Sequence, residues 1–144
     1  MLEREGIMAV RKSKNVFDNL SESELASNFI DRGDYIELVR PIGTIRMIQK
    51  GMARNAMNWQ EAMDYAKNLK LGGFNDWRLP TIEELKAIYK IQKICGIDKS
   101  DDSWFWSSTD SKNDSESACF VGFFRGKNSN NSKTGSCGCV RGVR

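Results

Sequence analysis

The stretch Gly72-Gly73-Phe74-Asn75-Asp76-Trp77-Arg78-Leu79-Pro80-Thr81-Ile82-Glu83-Glu84-Leu85 decides how this chain is read. It opens on two glycines, which suit the left-handed backbone that ends a helix. It continues as a loop dense in turn formers and aromatics. It closes on Thr81 with Glu84 three residues on, a capping box in which each side chain takes an orphan N–H of a new helix. Pro80 fixes the entry into that helix. Leu85, Ile88, Tyr89, Ile91 and Gln92 follow along it. Lys86, Lys90 and Lys93 line its exposed side, toward the end where the helix dipole favours cations. Trp77 is placed to fill a core between helices and sheet, and Arg78 to tie carbonyls or a carboxylate together.

Upstream, Asn58 and Glu61 form a second capping box, and Trp59, Ala62, Met63, Ala66 and Leu69 keep helical spacing up to Gly72-Gly73. Residues 29–48 read as one or two strands, with turns at Asp31-Arg32-Gly33-Asp34 and Pro41-Ile42-Gly43. Ser21 and Glu24 open a short helix. Residues 1–20 read as an arm or edge strand around Ile7-Met8-Ala9-Val10. Downstream, strands are expected over 104–108, 118–124 and 138–143. Short strands, two grouped helices and more strands make an α+β chain, not a βαβ repeat. The expectation is one domain over 21–144, two helices on a small, mainly antiparallel twisted sheet, preceded by the 1–20 arm.

Composition narrows the function. The net charge of +3 is small and its basic residues are spread along the chain, which argues against nucleic acid. The cluster Arg11-Lys12-Ser13-Lys14 reads as a solvated arm. No run reaches 18 apolar residues, so no membrane span is expected. The start, Met1-Leu2-Glu3-Arg4-Glu5, lacks the apolar stretch of a signal peptide, so the expectation is a cytoplasmic location, or a virion or cell surface reached by another route. The chain has no histidine, which excludes Ser-His and Cys-His nucleophiles. Glu83 and Glu84 are adjacent on a helix and diverge. Cys95, Cys119, Cys137 and Cys139 lack paired C-x-x-C knuckles and read as free thiols, with a disulfide left open. No enzyme activity, metal or cofactor is expected.

The tail from Asp110 to Arg144 combines a strand-like frame with filler that follows no folding rule. The frame is Ala118, Val121, Phe123, Gly126, Val140, Arg141, Val143 and Arg144; Ser, Asn, Asp, Gly, Thr and Cys dominate between them. Strand alternation groups Phe120, Gly122 and Phe124 on one face. With Arg125 these make an aromatic-plus-arginine patch of the kind found at binding hot spots. The expected ligand-binding residues are Trp106, Phe120, Gly122, Phe124, Arg125, Asn128, Asn130, Asn131, Thr134, Ser136, Cys137 and Cys139. The ligand is a macromolecule, protein or glycan, and a homo-oligomer fits the reading.

The 72–85 stretch resembles the signature of the family named for the C-terminal domain of the Legionella collagen-like protein. Asn58-Trp59-Gln60-Glu61-Ala62 resembles its first helix, Trp106-Ser107-Ser108-Thr109 its tryptophan–serine strand, and Val140-Arg141-Gly142-Val143-Arg144 its closing strand. The resemblance covers roughly residue 29 to 144 and implies a C-type-lectin-like fold. Many relatives carry cysteines where this chain has Ala66 and Gly142, so the resemblance implies a domain that does without that bond. They also place a tryptophan near Ile45-Arg46-Met47-Ile48. Asn75-Asp76 lacks a Glu-Pro-Asn type partner, so calcium-dependent sugar binding is not expected.

Residues 114–144 also resemble the variable region of proteins diversified by retroelements. There, miscopied template adenines turn asparagine codons into Ser, Gly, Asp, Thr, Cys, Tyr, Phe, Arg and Ile codons, among others. The filler fits that alphabet, and Glu116, Lys127 and Lys133 fall outside it. The resemblance implies a segment, about 110–139, that displays a changeable surface. The alternatives are a fixed-specificity adhesin or glycan-binding domain and, further off, a relative of formylglycine-generating oxidases, whose cysteine pair Cys137 and Cys139 invite.

Overall fold

A computed structural model describes residues 21–98 and 103–144; the expected 1–20 arm lies outside them. The elements run α1 (Glu22–Ala26), β1 (Phe29–Asp31), β2 (Tyr35–Ile42), β3 (Ile45–Gln49), α2 (Trp59–Lys67), α3 (Ile82–Ile91), β4 (Trp104–Asp110), β5 (Ser117–Gly122) and β6 (Lys127–Ser132). All three capping boxes form. The Glu24 amide donates to Ser21 Oγ at 3.2 Å, that of Glu61 to Asn58 Oδ1 at 2.9 Å, and that of Glu84 to Thr81 Oγ1 at 3.2 Å. Each glutamate returns a carboxylate oxygen to the cap amide. Helix α2 stops at Lys67, earlier than Gly72-Gly73 implies. Those glycines instead form a 3₁₀ turn at φ +66° and +82°, where a Cβ on Gly72 would lie 2.6 Å from the Tyr35 ring.

The fold is α+β, with two antiparallel three-stranded sheets, β1-β2-β3 and β4-β5-β6, where one was expected. Pro41 and Ile42 extend β2 rather than turning it, and the reversal falls at Gly43-Thr44. The register shifts between Glu37 and Ile42, the interval holding Pro41, which has no N–H for a ladder. Strand β5 ends at Gly122, and 123–126 form the hairpin turn into β6, closed by Gly126 at φ +74°. The expected closing strand makes isolated bridges instead. Gly138 pairs with Met57, Cys139 runs parallel to Phe105, and Val143 pairs with both Ile48 and Arg78. It thereby stitches the two sheets together.

Ile36, Ile48, Leu85, Ile88, Phe105, Val121 and Val143 pack between the first sheet, α3 and the second sheet. Ala62, Ala66, Trp106, Ala118 and Val140 form a second cluster under α2. Trp77 is buried, and its indole N–H donates to Leu71 O at 3.1 Å. Arg78 grips both Glu84 carboxylate oxygens at 2.7 and 2.9 Å. Burial opposes charge on Glu84, but the hydrogen bonds from Arg78, the Thr81 amide and Thr44 outweigh it and hold the carboxyl below its ordinary value. Of the tail frame, Ala118, Val121, Phe123, Val140, Arg141 and Val143 are buried. Arg141 donates to the carbonyls of Gly51 at 2.7 Å and Asp98 at 3.0 Å, and desolvation pushes its pKa down to about 10. Ala66 and Gly142 are both interior, and the four cysteines are free.

Candidate recognition surface

Pairing within the second sheet decides which tail residues reach solvent. Trp106 faces Phe120 and Ser129 across the strands; Phe105 faces Val121 and Asn128. Alternation puts Trp104, Trp106 and Phe120 on one face, Phe105 and Val121 on the other. Both faces meet a core cluster, so β5 is buried on each side at Ala118 and Val121. Display is therefore concentrated on the edge strand β6, on the hairpin turn and on the loop after β6.

Trp106, an expected ligand contact, is instead fully buried, and its indole N–H donates to Met57 O at 2.9 Å. Helix α2 covers that end of the strand through Ala62 and Ala66. Trp104 is the tryptophan of this face that remains half-exposed. Its ring meets Phe120 at 4.6 Å and Trp106 edge-on at 5.0 Å. Gly122 sits opposite it, and a Cβ on Gly138 would come within 2.4 Å of its ring. Gly138 leaves the room that the large indole occupies.

Phe120 and Phe124 have different fates. Phe120 is half-buried against Trp104, whereas Phe124 is in the hairpin turn and 65% exposed. The Arg125 guanidinium lies 5.4 Å from the Phe124 ring centre. Asn128 and Asn130 are exposed along β6, and Asn131 is half-buried. The Cys119 thiol donates to Asn130 Oδ1 at 3.1 Å. Thr134 and Cys137 are exposed and Ser136 is half-buried. Cys139 is half-buried and packs against the larger core cluster, with its N–H on Trp104 O at 2.9 Å. Gly122 offers space and backbone only.

Lys133, absent from the expected contacts, holds the surface together. Its ammonium reaches Asp110 Oδ1 at 2.7 Å and lies 4.3 Å from the Trp59 ring centre. Its carbonyl accepts the Trp59 amide at 3.1 Å, and its amide donates to Glu116 O at 2.8 Å. The Trp59 indole in turn donates to Ser107 O at 2.9 Å. These contacts anchor the end of β6 to the start of α2. The signal in the sequence was a lone lysine in a run of Asn, Ser, Thr and Gly.

The family model for the Lcl C-terminal domain matches residues 38–144. The chain belongs to that family. The matched range runs from β2 through the closing segment and contains the whole candidate surface. No curated protein matches the chain. Membership in the Lcl C-terminal domain family points to a binding, adhesin-like role. No helix among the described residues is long and apolar enough to cross a membrane.

Proposed function

We propose that this Lcl C-terminal domain is a non-catalytic ligand-binding protein whose segment 110–139 displays a diversified recognition surface on a stable lectin-like scaffold. The observation that carries the reading is the split between frame and filler. Ala118, Val121, Phe123 and Val140 are buried, while Phe124, Arg125, Asn128, Asn130, Thr134 and Cys137 are exposed. The exposed set falls within the substitution alphabet of a miscopied asparagine codon. Of the three residues outside it, Lys133 and Glu116 join through a backbone hydrogen bond at the end of the hairpin, and Lys127 is exposed as the first residue of β6. Aromatic and arginine side chains supply contact area, and Asn, Ser and Thr supply adaptable hydrogen bonding.

The test is the flanking DNA and the tail across isolates. A neighbouring reverse transcriptase gene, a near-repeat of the tail coding sequence and substitutions confined to the exposed set are expected. Identical tail DNA in independent isolates overturns the reading. The fixed-specificity adhesin then takes its place, with half-exposed Trp104 beside Phe120 as its aromatic contact.

A further inference from the structure

Residues 117–144 hold five cations, Arg125, Lys127, Lys133, Arg141 and Arg144, and no Asp or Glu. Three have structural work. Lys133 pairs with Asp110, Arg144 with Asp76, and Arg141 is buried on carbonyls. Arg125 and Lys127 are exposed at the hairpin tip. Residues 85–97, which span most of α3 and the turn after it, hold Lys86, Lys90 and Lys93 and again no acid. Lys86 reaches Glu83 at 3.4 Å. Among the described residues, Lys90, Lys93, Arg125 and Lys127 take part in no ion pair.

The two cationic segments meet at Tyr89. A Cβ on Gly126 would lie 2.3 Å from the Tyr89 ring, so the hairpin turn rests directly on it. Phe123 meets the same ring edge-on at 5.4 Å. Lys86 lies one helical turn before Tyr89, Lys90 follows it directly in the chain, and Lys93 lies in the turn just after α3. The turn therefore sits on the lysine-bearing flank of α3, with exposed Phe124 at its tip.

We infer that the hairpin tip and this flank of α3 form a docking surface for an acidic segment of a protein partner that also carries an apolar side chain. Unpaired cations favour a carboxylate-rich partner and speed its encounter. The exposed Phe124 ring gains only if an apolar group covers it. A sulfated or phosphorylated polymer would use the cations and leave that ring in water. The inference rests on the tail being a binding surface and names its partner's chemistry. Lys86, Lys90 and Lys93 lie outside 110–139, so the preference for acidic partners would persist while Phe124 and Arg125 change.

The test is fluorescence anisotropy with a short labelled peptide of alternating glutamate and leucine, against its glutamine counterpart. The acidic peptide is expected to bind at least about tenfold more tightly, and to weaken as salt rises. Lys90→Gln with Lys93→Gln, and separately Phe124→Ser, should each weaken it about tenfold with an unchanged melting temperature. Equal binding of the two peptides, or binding of neither, overturns the inference. So does tight binding of a sulfated oligosaccharide that Phe124→Ser leaves intact, which would make the patch a polyanion site. Any of these leaves the display reading to its own test on tail DNA, and identical tail DNA would not cancel a positive peptide result.

Discussion

The ammonium of Lys133 lies over the face of Trp59, 4.3 Å from its ring centre, while the Lys133 carbonyl accepts the Trp59 amide. One residue therefore ties the outer hairpin to the first turn of α2 twice. The ion pair with Asp110 adds little, because that carboxylate is 65% exposed. Lys133→Ala is expected to cost about 1 kcal/mol, mostly the lost cation–π contact. Amide exchange should accelerate locally over residues 134–137, and Lys133→Arg should restore protection. Uniform acceleration across the domain would refute a local clamp.

Gly126 belongs to the frame and Gly138 to the filler, yet geometry fixes both. Gly126 has φ +74° with Tyr89 against it, and Gly138 faces the Trp104 ring. Gly126→Ala is expected to cost about 2–3 kcal/mol, lowering the melting temperature by roughly 10 °C. Asn128→Ser, two residues away and exposed, should change stability by less than about 0.5 kcal/mol. Thermal melts of the two variants decide this, and equal losses would contradict it.

Trp106 and Phe124 should behave as opposites. Trp106→Ala removes a fully buried indole and its bond to Met57, a loss of about 3–5 kcal/mol. Phe124→Ala should leave stability within about 0.5 kcal/mol. Denaturant titrations check both. A large loss from Phe124→Ala would mean that its ring is a packing element.

Acid should loosen the Arg78–Glu84 lock. Glu84 ionises more readily in the folded domain than its ordinary value of 4.5 implies, because its hydrogen bonds outweigh burial. A depressed folded value means stability that is complete above about 4.5 and lost as pH falls through the folded value. Glu84→Gln removes that dependence while keeping the side chain's size. Melting temperature against pH should therefore fall less steeply below about 4.5 in the variant than in the parent. Parallel curves would sink the assignment.

Thiol reactivity separates the cysteines. Cys137 is exposed, whereas Cys95 is buried and its thiol is pushed up by that burial. A chromogenic disulfide reagent should modify Cys137 in the native protein and Cys95 only after denaturant is added. Cys137→Ser should remove the fast phase. A fast phase that persists in that variant would place the reactive thiol elsewhere.

The sequence made the local chemistry readable. The boxes at Ser21, Asn58 and Thr81 form because a cap and its glutamate are three residues apart and need no distant partner. Arg78 finds its carboxylate six residues on, in the same capping box. Strand β6 was not readable, since Lys-Asn-Ser-Asn-Asn-Ser is a poor strand former and is extended only because β5 pairs with it. Alternation put Trp104 and Trp106 on one face, but which of them α2 covers depends on chain distant in sequence. Cys139 is half-buried for the same reason, its side chain meeting a core built from five other elements. The single bridges of residues 138–143 lie between two sheets whose separation no local pattern announced.

Among the described residues, β6 is the outer strand of its sheet, with Lys127 as its first residue and Lys133 just past its end. An outer strand leaves one row of backbone groups ready to template a neighbouring chain, and charged residues at its limits discourage that. A tail rich in Phe, Ile and Tyr between these lysines would form a short apolar, β-prone window. On the display reading proposed above, the two lysines would act as gatekeepers that keep such a tail from associating with itself.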